Sequence, residues 1–323
     1  MKSVGIIGGS GYTGGELIRL LAHHPKLSIA FVYSTTRAGK PLTEAHPDLL
    51  GTLNMVFTDT VDLSVDVVFL CLGHGNSQRF LAQHSFSDKT IIIDLGNDFR
   101  LNADHRWEKT TFTYGLPEFQ REKIKKARAI ANPGCFATAI QLALLPLAQS
   151  GDLKNDIHVN ATTGSTGAGV GLSATSHFSW RNTNLSWYKP FTHQHLAEIK
   201  ETLSALGADT NFYFLPQRGA FTRGIFATVY TDFEGSLEEA NALYEQFYGA
   251  HPFTQIATRP LHLKQVVNSN FCFLHLHQHE NKLLITCIID NLIKGASGQA
   301  IQNLNLIMGW EEDLGLRLKA STF

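Results

Sequence analysis

Cys135 lies in a segment whose residue types suit covalent catalysis. A Pro-Gly turn at residues 133–134 leads into the apolar run 137–147, a pattern typical of a helix. A thiol in the first turn of a helix lies near the positive end of the helix dipole and near unpaired backbone N–H groups, and both favour the thiolate. We therefore expect Cys135 to be a nucleophile. The alternative is a Cys that packs as a small hydrophobic residue.

Two histidines, His193 and His195, precede a second apolar helical pattern and are candidates for an acid/base partner. Reduction or oxidation of a carbon bonded to sulfur needs a group that exchanges a proton with the reacting oxygen, and imidazole is suited to this task. The sequence does not separate the two histidines, and we favour His195.

A glycine-rich loop between the first predicted strand and the first predicted helix is typical of nucleotide binding. Residues 8–14 are GGSGYTG, with a glycine at every third position. Such glycines let the backbone turn tightly and approach a pyrophosphate, while the start of the helix supplies N–H donors. The spacing differs from the G-x-G-x-x-G form, which leaves the path of the phosphates open. We expect this loop to bind a cofactor through Gly8, Ser10, Gly11, Tyr12, Thr13 and Gly14.

The end of the second predicted strand indicates NADP(H) rather than NAD(H). NAD sites usually have an acidic residue here that binds the ribose hydroxyls, whereas residues 33–37 are YSTTR. Hydroxyl and guanidinium groups suit an additional phosphate, so we expect Ser34, Thr35 and Arg37 to bind it. The alternative is a polar loop with a solvated Arg37. Gly73 follows another strand at the same edge and is expected to line the cofactor.

Hydrophobic patterns divide the chain into two parts of different fold class. The first part has apolar strands separated by helices, which predicts an α/β fold with a Rossmann-type doubly wound parallel sheet. From about residue 157, alternating patterns predict an α+β domain with a mixed or antiparallel sheet. We expect an NADP-binding domain at 1–134, a catalytic, substrate-binding and oligomerisation domain at 135–295, and a C-terminal helix within 296–323 that returns to the first domain.

The composition is that of an ordinary globular protein and argues against several function classes. Of 323 residues, 43% are hydrophobic and 17% are charged, and the net charge is −1, so no nucleic-acid surface is indicated. No apolar run reaches membrane-spanning length, and we expect no signal peptide before the first strand. The four cysteines lack the spacing of a disulfide framework. We expect a cytoplasmic protein with a small-molecule substrate and no nucleic-acid or membrane partner.

Seven short motifs follow one another over nearly the whole chain. They are GGSGYTG at 8–14, DLGNDFR at 94–100, YGLPE at 114–118, NPGCF at 132–136, TGSTGAG at 163–169, HQH at 193–195 and KGASGQA at 294–300. In this order they resemble the N-acetyl-gamma-glutamyl-phosphate reductase family, relatives of aspartate-semialdehyde dehydrogenase.

The resemblance implies an enzyme of arginine biosynthesis. Such enzymes use NADPH to reduce N-acetyl-gamma-glutamyl phosphate to the semialdehyde and inorganic phosphate, through a thioester on the residue that corresponds to Cys135. The resemblance assigns the acid/base role to one of His193 and His195, and it implies a homodimer or homotetramer.

Further site residues follow from the chemistry of this substrate and from the family. Arg100 and Arg223 are candidates to bind its phosphate and carboxylate, with Ser165 and Thr166 as further donors. Asn291 and Gly298 lie in the segment that in this family approaches the nicotinamide.

Some positions depart from the family pattern and leave the acyl group of the substrate open. Gly96-Asn97 replaces the expected Ser-Ala, the loop after Gly169 is short, and residues 215–218 (LPQR) differ from the Pro-His of many relatives. Both acetyl and a diacid such as succinyl are compatible with these differences. The alternatives are a reductase of N-succinyl-glutamyl, aminoadipyl or aspartyl phosphate, and a non-catalytic NADP-sensing protein.

Three histidines, His275, His277 and His279, alternate along a predicted strand and therefore share one face of it. Phe271 and Phe273 share that face, and no carboxylate or thiol accompanies the histidines. We expect this face to pack against another subunit rather than to bind a metal ion.

Overall fold

Short apolar runs and longer amphipathic runs form the strands and helices of a computed structural model that describes residues 1–322. The strands are β1 (Lys2–Ile7), β2 (Leu27–Tyr33), β3 (Val67–Leu70), β4 (Ile91–Asp94), β5 (Arg106–Trp107), β6 (Thr110–Tyr114), β7 (Ala129–Ala131), β8 (Ile157–Thr163), β9 (Ser186–Trp187), β10 (Phe212–Arg218), β11 (Ile225–Asp232), β12 (Thr254–Ile256), β13 (Cys272–His279) and β14 (Lys282–Ile289). The helices are α1 (Tyr12–Leu21), α2 (Ser77–Leu81), α3 (Pro117–Ile124), α4 (Cys135–Ser150), α5 (Phe178–Arg181), α6 (His195–Ala205), α7 (Leu237–Tyr248) and α8 (Gly298–Ile307).

The chain divides into two units. The first unit contains Met1–Pro133 and Ala296–Arg317, and the second contains Gly134–Gly295 together with the residues from Leu318 onward. The chain therefore leaves the first unit immediately before Gly134 and returns to it after Gly295.

The first unit contains the parallel sheet that the sequence predicted. Its strand order is β2-β1-β3-β4-β7-β6-β5, and every neighbouring pair is parallel except β5 and β6. The apolar side chains of β3 are buried on both faces, which is why its sequence is continuously hydrophobic. The order reverses between β1 and β3, and the crevice at such a point is where open α/β sheets bind ligands.

The second unit contains a mixed sheet, also as predicted. Its order is β12-β13-β14-β11-β8-β10-β9, in which β8 pairs in parallel with β10 and in antiparallel with β11. Residues of β11 alternate strictly between buried and half-buried, so one face of this sheet is packed. The histidines of β13 occupy its half-buried and exposed positions, opposite Leu274 and Leu276.

Helix α4 lies in the core of the second unit, and its residues from Phe136 to Ala148 are all buried. Pro146 lies inside this helix and has no N–H to donate to the carbonyl of Leu142. The Tyr248 hydroxyl on α7 donates to that carbonyl instead, at 2.5 Å. The helix that begins at Cys135 is therefore fixed by packing on all sides and by a side-chain hydrogen bond to its broken turn.

Candidate active site

Cys135 is the first residue of α4, as the sequence pattern predicted. Gly134 precedes it with extended backbone angles (φ −70°, ψ 152°), and the Gly134 carbonyl accepts the hydrogen bond of the Thr138 N–H at 2.8 Å. The first turn of the helix contains no acidic residue that would offset the positive end of the dipole. The thiol is half-buried. This position favours the thiolate and leaves it partly accessible.

His195 lies directly against Gly134, the residue before Cys135. A Cβ atom placed on Gly134 would come within 2.6 Å of His195 Cε1 and closer still to Nε2. Glycine at position 134 is therefore what allows the imidazole to reach the start of α4. His195 is itself the first residue of α6 and is only 6% exposed.

His193 has a different environment from His195. Its Nδ1 accepts a hydrogen bond from the backbone N–H of His195 at 3.2 Å, which fixes this nitrogen as an acceptor. Its ring packs edge-on against Phe136, Tyr188 and Phe214, at centroid distances of 5.4, 5.7 and 5.6 Å. The two imidazoles are 4.6 Å apart. His193 is thus held mainly by rings, whereas His195 lies against the backbone that precedes Cys135.

Glu198 joins the two helix starts, and the sequence analysis gave it no role. Its Oε2 accepts the Gly134 N–H at 3.1 Å, and its Oε1 lies 4.0 Å from His195 Nε2. The carboxyl group is 3% exposed. A carboxylate in this position stabilises a protonated imidazole and orients its ring. The spacing of three residues from His195 on one helix is the signal that sequence analysis overlooked.

The segment 290–295 contacts both Arg223 and Cys135. Buried Asp290 accepts hydrogen bonds from Arg223 Nε at 3.1 Å and Nη2 at 3.2 Å, and from the backbone N–H groups of Asn268 and Leu292. A Cβ atom on Gly295 would lie 2.8 Å from Cys135 Cβ. The segment therefore holds the guanidinium in place and also passes immediately beside Cys135.

Asn291 lies in the second unit with Ser165 and Thr166. Its Oδ1 accepts the Gly224 N–H at 2.6 Å, and its Nδ2 donates to Thr166 Oγ1 at 3.0 Å. The backbone N–H groups of Ser165 and Thr166 donate to the carbonyls of Phe221 and Thr222. Four residues that the sequence analysis proposed separately, Ser165, Thr166, Arg223 and Asn291, thus belong to one hydrogen-bonded region.

Gly8 and Gly14 of the glycine loop in the first unit have no room for a side chain. Gly8 has φ +79°, and a Cβ atom on it would lie 2.6 Å from the Cys71 carbonyl oxygen; on Gly14 it would lie 2.6 Å from Gly9 Cα. At Gly11 the nearest atom would be 3.7 Å away, so the space over this residue is open. An open surface in front of the first turn of α1, lined with N–H groups, fits a pyrophosphate.

The end of β2 fits the additional phosphate of NADP(H). Ser34 is buried, and its Oγ lies 3.3 Å from Ser10 Oγ and 3.4 Å from Thr36 Oγ1. Thr35 is exposed and Arg37 is half-buried, and Arg37 forms no ion pair within residues 1–322. Hydroxyl donors and an unpaired guanidinium, with no carboxylate beside them, suit a phosphate better than ribose hydroxyls.

Asp98, another residue without a role in the sequence analysis, holds the loop that contains Gly73. Its carboxylate accepts the backbone N–H groups of Gly75 at 2.6 Å, Ser77 at 2.8 Å and Gln78 at 3.1 Å. It therefore satisfies donors at the start of α2, which would otherwise be orphaned.

Arg100 and Gly298 belong to the first unit, whereas Arg223 and Asn291 belong to the second. The Arg100 side chain is 8% exposed and donates through Nε to the Asn132 carbonyl at 2.9 Å and through Nη2 to the Leu95 carbonyl at 3.1 Å. Gly298 is the buried first residue of α8. The contacts of Arg100 support the backbone that leads to Gly134.

Comparison with known families agrees with the two units. The family described as "Semialdehyde dehydrogenase, NAD binding domain" matches residues 3–127, and "Semialdehyde dehydrogenase, dimerisation domain" matches residues 135–291.

Curated relatives match the chain from end to end. The N-acetyl-gamma-glutamyl-phosphate reductase of Flavobacterium johnsoniae is 61% identical over 325 residues, and that of Christiangramia forsetii is 56% identical over 326; each match covers all of both chains. This chain belongs to the N-acetyl-gamma-glutamyl-phosphate reductase family. The resemblance in the seven motifs is thereby confirmed.

Solved structures show how widely the fold of this reductase family member is shared. Aspartate semialdehyde dehydrogenase II of Vibrio cholerae, complexed with ASA, has a TM-score of 0.72 at 15% identity and covers 96% of this chain and 98% of its own. The Candida albicans aspartate semialdehyde dehydrogenase with NADP has a TM-score of 0.70 at 16% identity, covering 96% and 99%. At this identity the comparison establishes the fold alone.

Within residues 1–322, no group of three or more His, Cys, Asp or Glu side chains is arranged to hold a metal ion. None of the helices in the same range is long and apolar enough to span a bilayer.

Proposed function

We propose that this protein is an NADPH-dependent N-acetyl-gamma-glutamyl-phosphate reductase of arginine biosynthesis. Its full-length identity to enzymes of that name supports the substrate. The observation that supports the chemistry is the position of Cys135 at the start of α4, next to an imidazole that lies against Gly134. Nucleophile and acid/base group are thus adjacent within one unit.

The first half of the reaction forms a thioester. The Cys135 thiolate attacks the acyl carbon, the bond between that carbon and the phosphate oxygen breaks, and inorganic phosphate leaves. Backbone N–H groups in the first turn of α4 point toward the negative charge that develops on the carbonyl oxygen. Donors from Ser165, Thr166 and Arg223 belong to the same unit and are our candidates for the leaving phosphate.

The second half reduces the thioester. Bound NADPH supplies the hydride that this carbon accepts. His195 donates a proton to the resulting oxyanion and takes it back when the carbon–sulfur bond breaks and the semialdehyde leaves. We favour His195 over His193 because His193 Nδ1 already accepts the backbone N–H of His195, while His195 faces Glu198. Glu198 orients the imidazole and stabilises its protonated form.

We further propose that the protein is a cytoplasmic homodimer or homotetramer. The second unit matches a family described as a dimerisation domain. Large apolar side chains are exposed between residues 170 and 191, as expected of a surface that another subunit covers. They include Val170, Leu172, Phe178, Leu185, Trp187 and Phe191.

The variant Cys135→Ser tests the covalent scheme. We expect its turnover to fall by roughly a thousandfold or more, because a serine hydroxyl is a far weaker nucleophile than a thiolate. Its affinity for NADPH should stay unchanged, because a thiol-to-hydroxyl exchange leaves the glycine loop and the end of β2, both in the first unit, intact. Incubation with the acyl phosphate alone should add the mass of the acyl group to the wild type and not to the variant.

Two results would contradict the proposal. A Cys135→Ser variant that retains most of its rate would exclude the thioester. A wild type that binds NADPH but turns over no acyl phosphate or semialdehyde would favour the NADP-sensing alternative.

A further inference from the structure

Arg181 and Arg218 place two positive charges close together in the second unit. Arg181 is the last residue of α5 and is 7% exposed, and its Nη1 donates to the Arg218 carbonyl oxygen at 2.7 Å. Burial lowers the pKa of Arg181, and the charge of Arg218 lowers it further. Two neighbouring cations that are partly removed from water destabilise the fold unless an anion balances them.

Neither guanidinium has a carboxylate partner within residues 1–322. Nε and Nη2 of Arg181 donate to the Thr175 carbonyl at 3.3 and 3.2 Å, and its guanidinium lies over the Trp180 ring. Arg218 lies 4.7 Å over the ring of Tyr188, and its Nε is buried without a hydrogen-bond partner. The pair therefore has only neutral neighbours and one unsatisfied buried donor, which indicates a site for an anion.

This pair adjoins the candidate active site through Tyr188. The Tyr188 ring is 5.7 Å from the ring of His193. Burial raises the pKa of Tyr188 to about 12, the negative charge of Cys135 adds to this effect, and Arg218 opposes it. Tyr188 thus lies within electrostatic range of both the nucleophile and Arg218.

Arg223 in the same unit, our candidate for the phosphate, is less suited to bind a carboxylate of the substrate as well. Two of its nitrogens already donate to buried Asp290, at 3.1 and 3.2 Å. A ligand carboxylate would have to compete with Asp290 for this guanidinium, whereas Arg218 has no such competitor.

We propose that Arg218, supported by Arg181, binds a carboxylate of the substrate. The inference rests on the proposed function. A guanidinium binds a carboxylate through two parallel N–H donors, and the unsatisfied Nε of Arg218 supplies one of them. Two substrate carboxylates qualify: the α-carboxylate of the glutamyl group, and the terminal carboxylate of a dicarboxylic acyl group such as succinyl, which acetyl lacks.

The experiment compares Arg218→Gln and Arg218→Lys with Arg259→Gln, an exposed arginine of the same unit that forms no ion pair within residues 1–322. Phosphate-dependent oxidation of N-acetyl- and N-succinyl-glutamate semialdehyde gives KM and kcat for each full-length protein. Calorimetry with N-acetylglutamate and N-succinylglutamate measures binding without turnover.

We expect Arg218→Gln to raise KM and the calorimetric Kd about 10- to 100-fold, the effect of losing a charge-assisted hydrogen bond. If KM and Kd rise only for the succinyl compounds, Arg218 binds the terminal carboxylate of the acyl group. If they rise equally for the acetyl and succinyl compounds, Arg218 binds the α-carboxylate. If Arg218→Gln matches Arg259→Gln in both series, the inference is wrong while the proposed function stands. If the wild type oxidises neither semialdehyde, the proposed function itself is wrong.

Arg218→Lys separates recognition from folding. It keeps the charge but loses the planar fork, so we expect it to fold like the wild type and to raise the same KM by a smaller factor, roughly 3- to 10-fold. If Arg218→Gln melts at a much lower temperature than the wild type, Arg218→Lys becomes the decisive variant. An unchanged KM in Arg218→Lys would then overturn the proposal.

Discussion

At the scale of single residues, the electrostatic environment differs sharply between buried acidic groups. Glu198 accepts the backbone N–H of Gly134 and faces an imidazole, so its charge has partners in the second unit. Asp94 in the first unit is fully buried, with acceptor contacts to the Ser77 hydroxyl at 2.6 Å and the Gly96 N–H at 3.0 Å. Its Oδ2 has no hydrogen-bond partner within residues 1–322. Burial raises the pKa of Asp94 to about 6, and these two donors oppose the rise only in part.

The raised pKa of Asp94 predicts a pH-dependent stability. Between about pH 4 and pH 6 the folded protein binds more protons here than the unfolded chain, so the wild type loses stability as pH rises through this range. In Asp94→Asn this loss should disappear. The free energy of unfolding of the variant, relative to the wild type, should rise by up to about 3 kcal/mol between pH 4 and pH 7.

Denaturant unfolding of both proteins at several pH values measures this difference. The exposed Asp88→Asn should track the wild type throughout. The free energies of unfolding of Asp94→Asn and the wild type could instead differ by the same amount at every pH. That result would mean that Asp94 is ionised in the folded protein over the whole range.

At the scale of elements, two positions of the glycine loop are occupied by glycine for different physical reasons. At Gly14 a side chain would collide with the backbone of Gly9, so the loop itself requires glycine. At Gly11 the nearest atom of residues 1–322 beyond its chain neighbours, the Gly8 carbonyl oxygen, would lie 3.7 Å from a Cβ atom. We therefore propose that position 11 is glycine because a ligand needs the space, whereas position 14 is glycine because the fold requires it.

We predict that Gly11→Ala weakens cofactor binding, whereas Gly14→Ala weakens the fold. Gly11→Ala should keep the melting temperature of the wild type within a few degrees but weaken NADPH binding about tenfold or more, because its methyl group occupies the phosphate site. Gly14→Ala should lower the melting temperature itself. Fluorescence titration with NADPH and thermal melts measure the two effects, and undiminished NADPH affinity in Gly11→Ala would contradict the assignment of the loop.

At the scale of the whole molecule, the surface of the second unit differs from that of an isolated domain. The segment 170–191 exposes several large apolar side chains, among them Leu172 and Trp187, whose exposed fractions are 102% and 67%. Clustered apolar exposure of this kind is typical of an interaction surface. Together with the match to a dimerisation domain, it supports an assembly between copies of this chain.

Charge introduced into this segment should weaken assembly. We predict that the double variant Leu172→Glu/Trp187→Glu elutes as a smaller species than the wild type, because burying two carboxylates at an apolar contact is costly. Size-exclusion chromatography with light scattering measures the mass. Leu50→Glu, at an exposed apolar position of the first unit, is the matched control and should keep the wild-type mass. Equal masses for all three proteins would place the assembly surface elsewhere.

The sequence by itself determined the features that depend on residues close together along the chain. The Pro-Gly turn before an apolar run placed Cys135 at the start of a helix, and the glycine loop followed a short apolar strand, because turn residues and hydrophobic period act locally. The two fold classes followed in the same way from continuous and alternating strand patterns.

Only the tertiary structure decided which distant groups meet at Cys135. Glu198 reaches Gly134 across 64 residues, and Asp290 reaches Arg223 across 67. The first contact depends on how α6 packs against α4, and the second on the register that pairs Ile225 of β11 with Ile289 of β14. The hydrophobic pattern of a helix or strand says only which of its faces is packed. The same reason explains why Arg218, which the sequence marked only as a departure from family pattern, became a candidate ligand-binding residue once Tyr188 and Arg181 were found beside it.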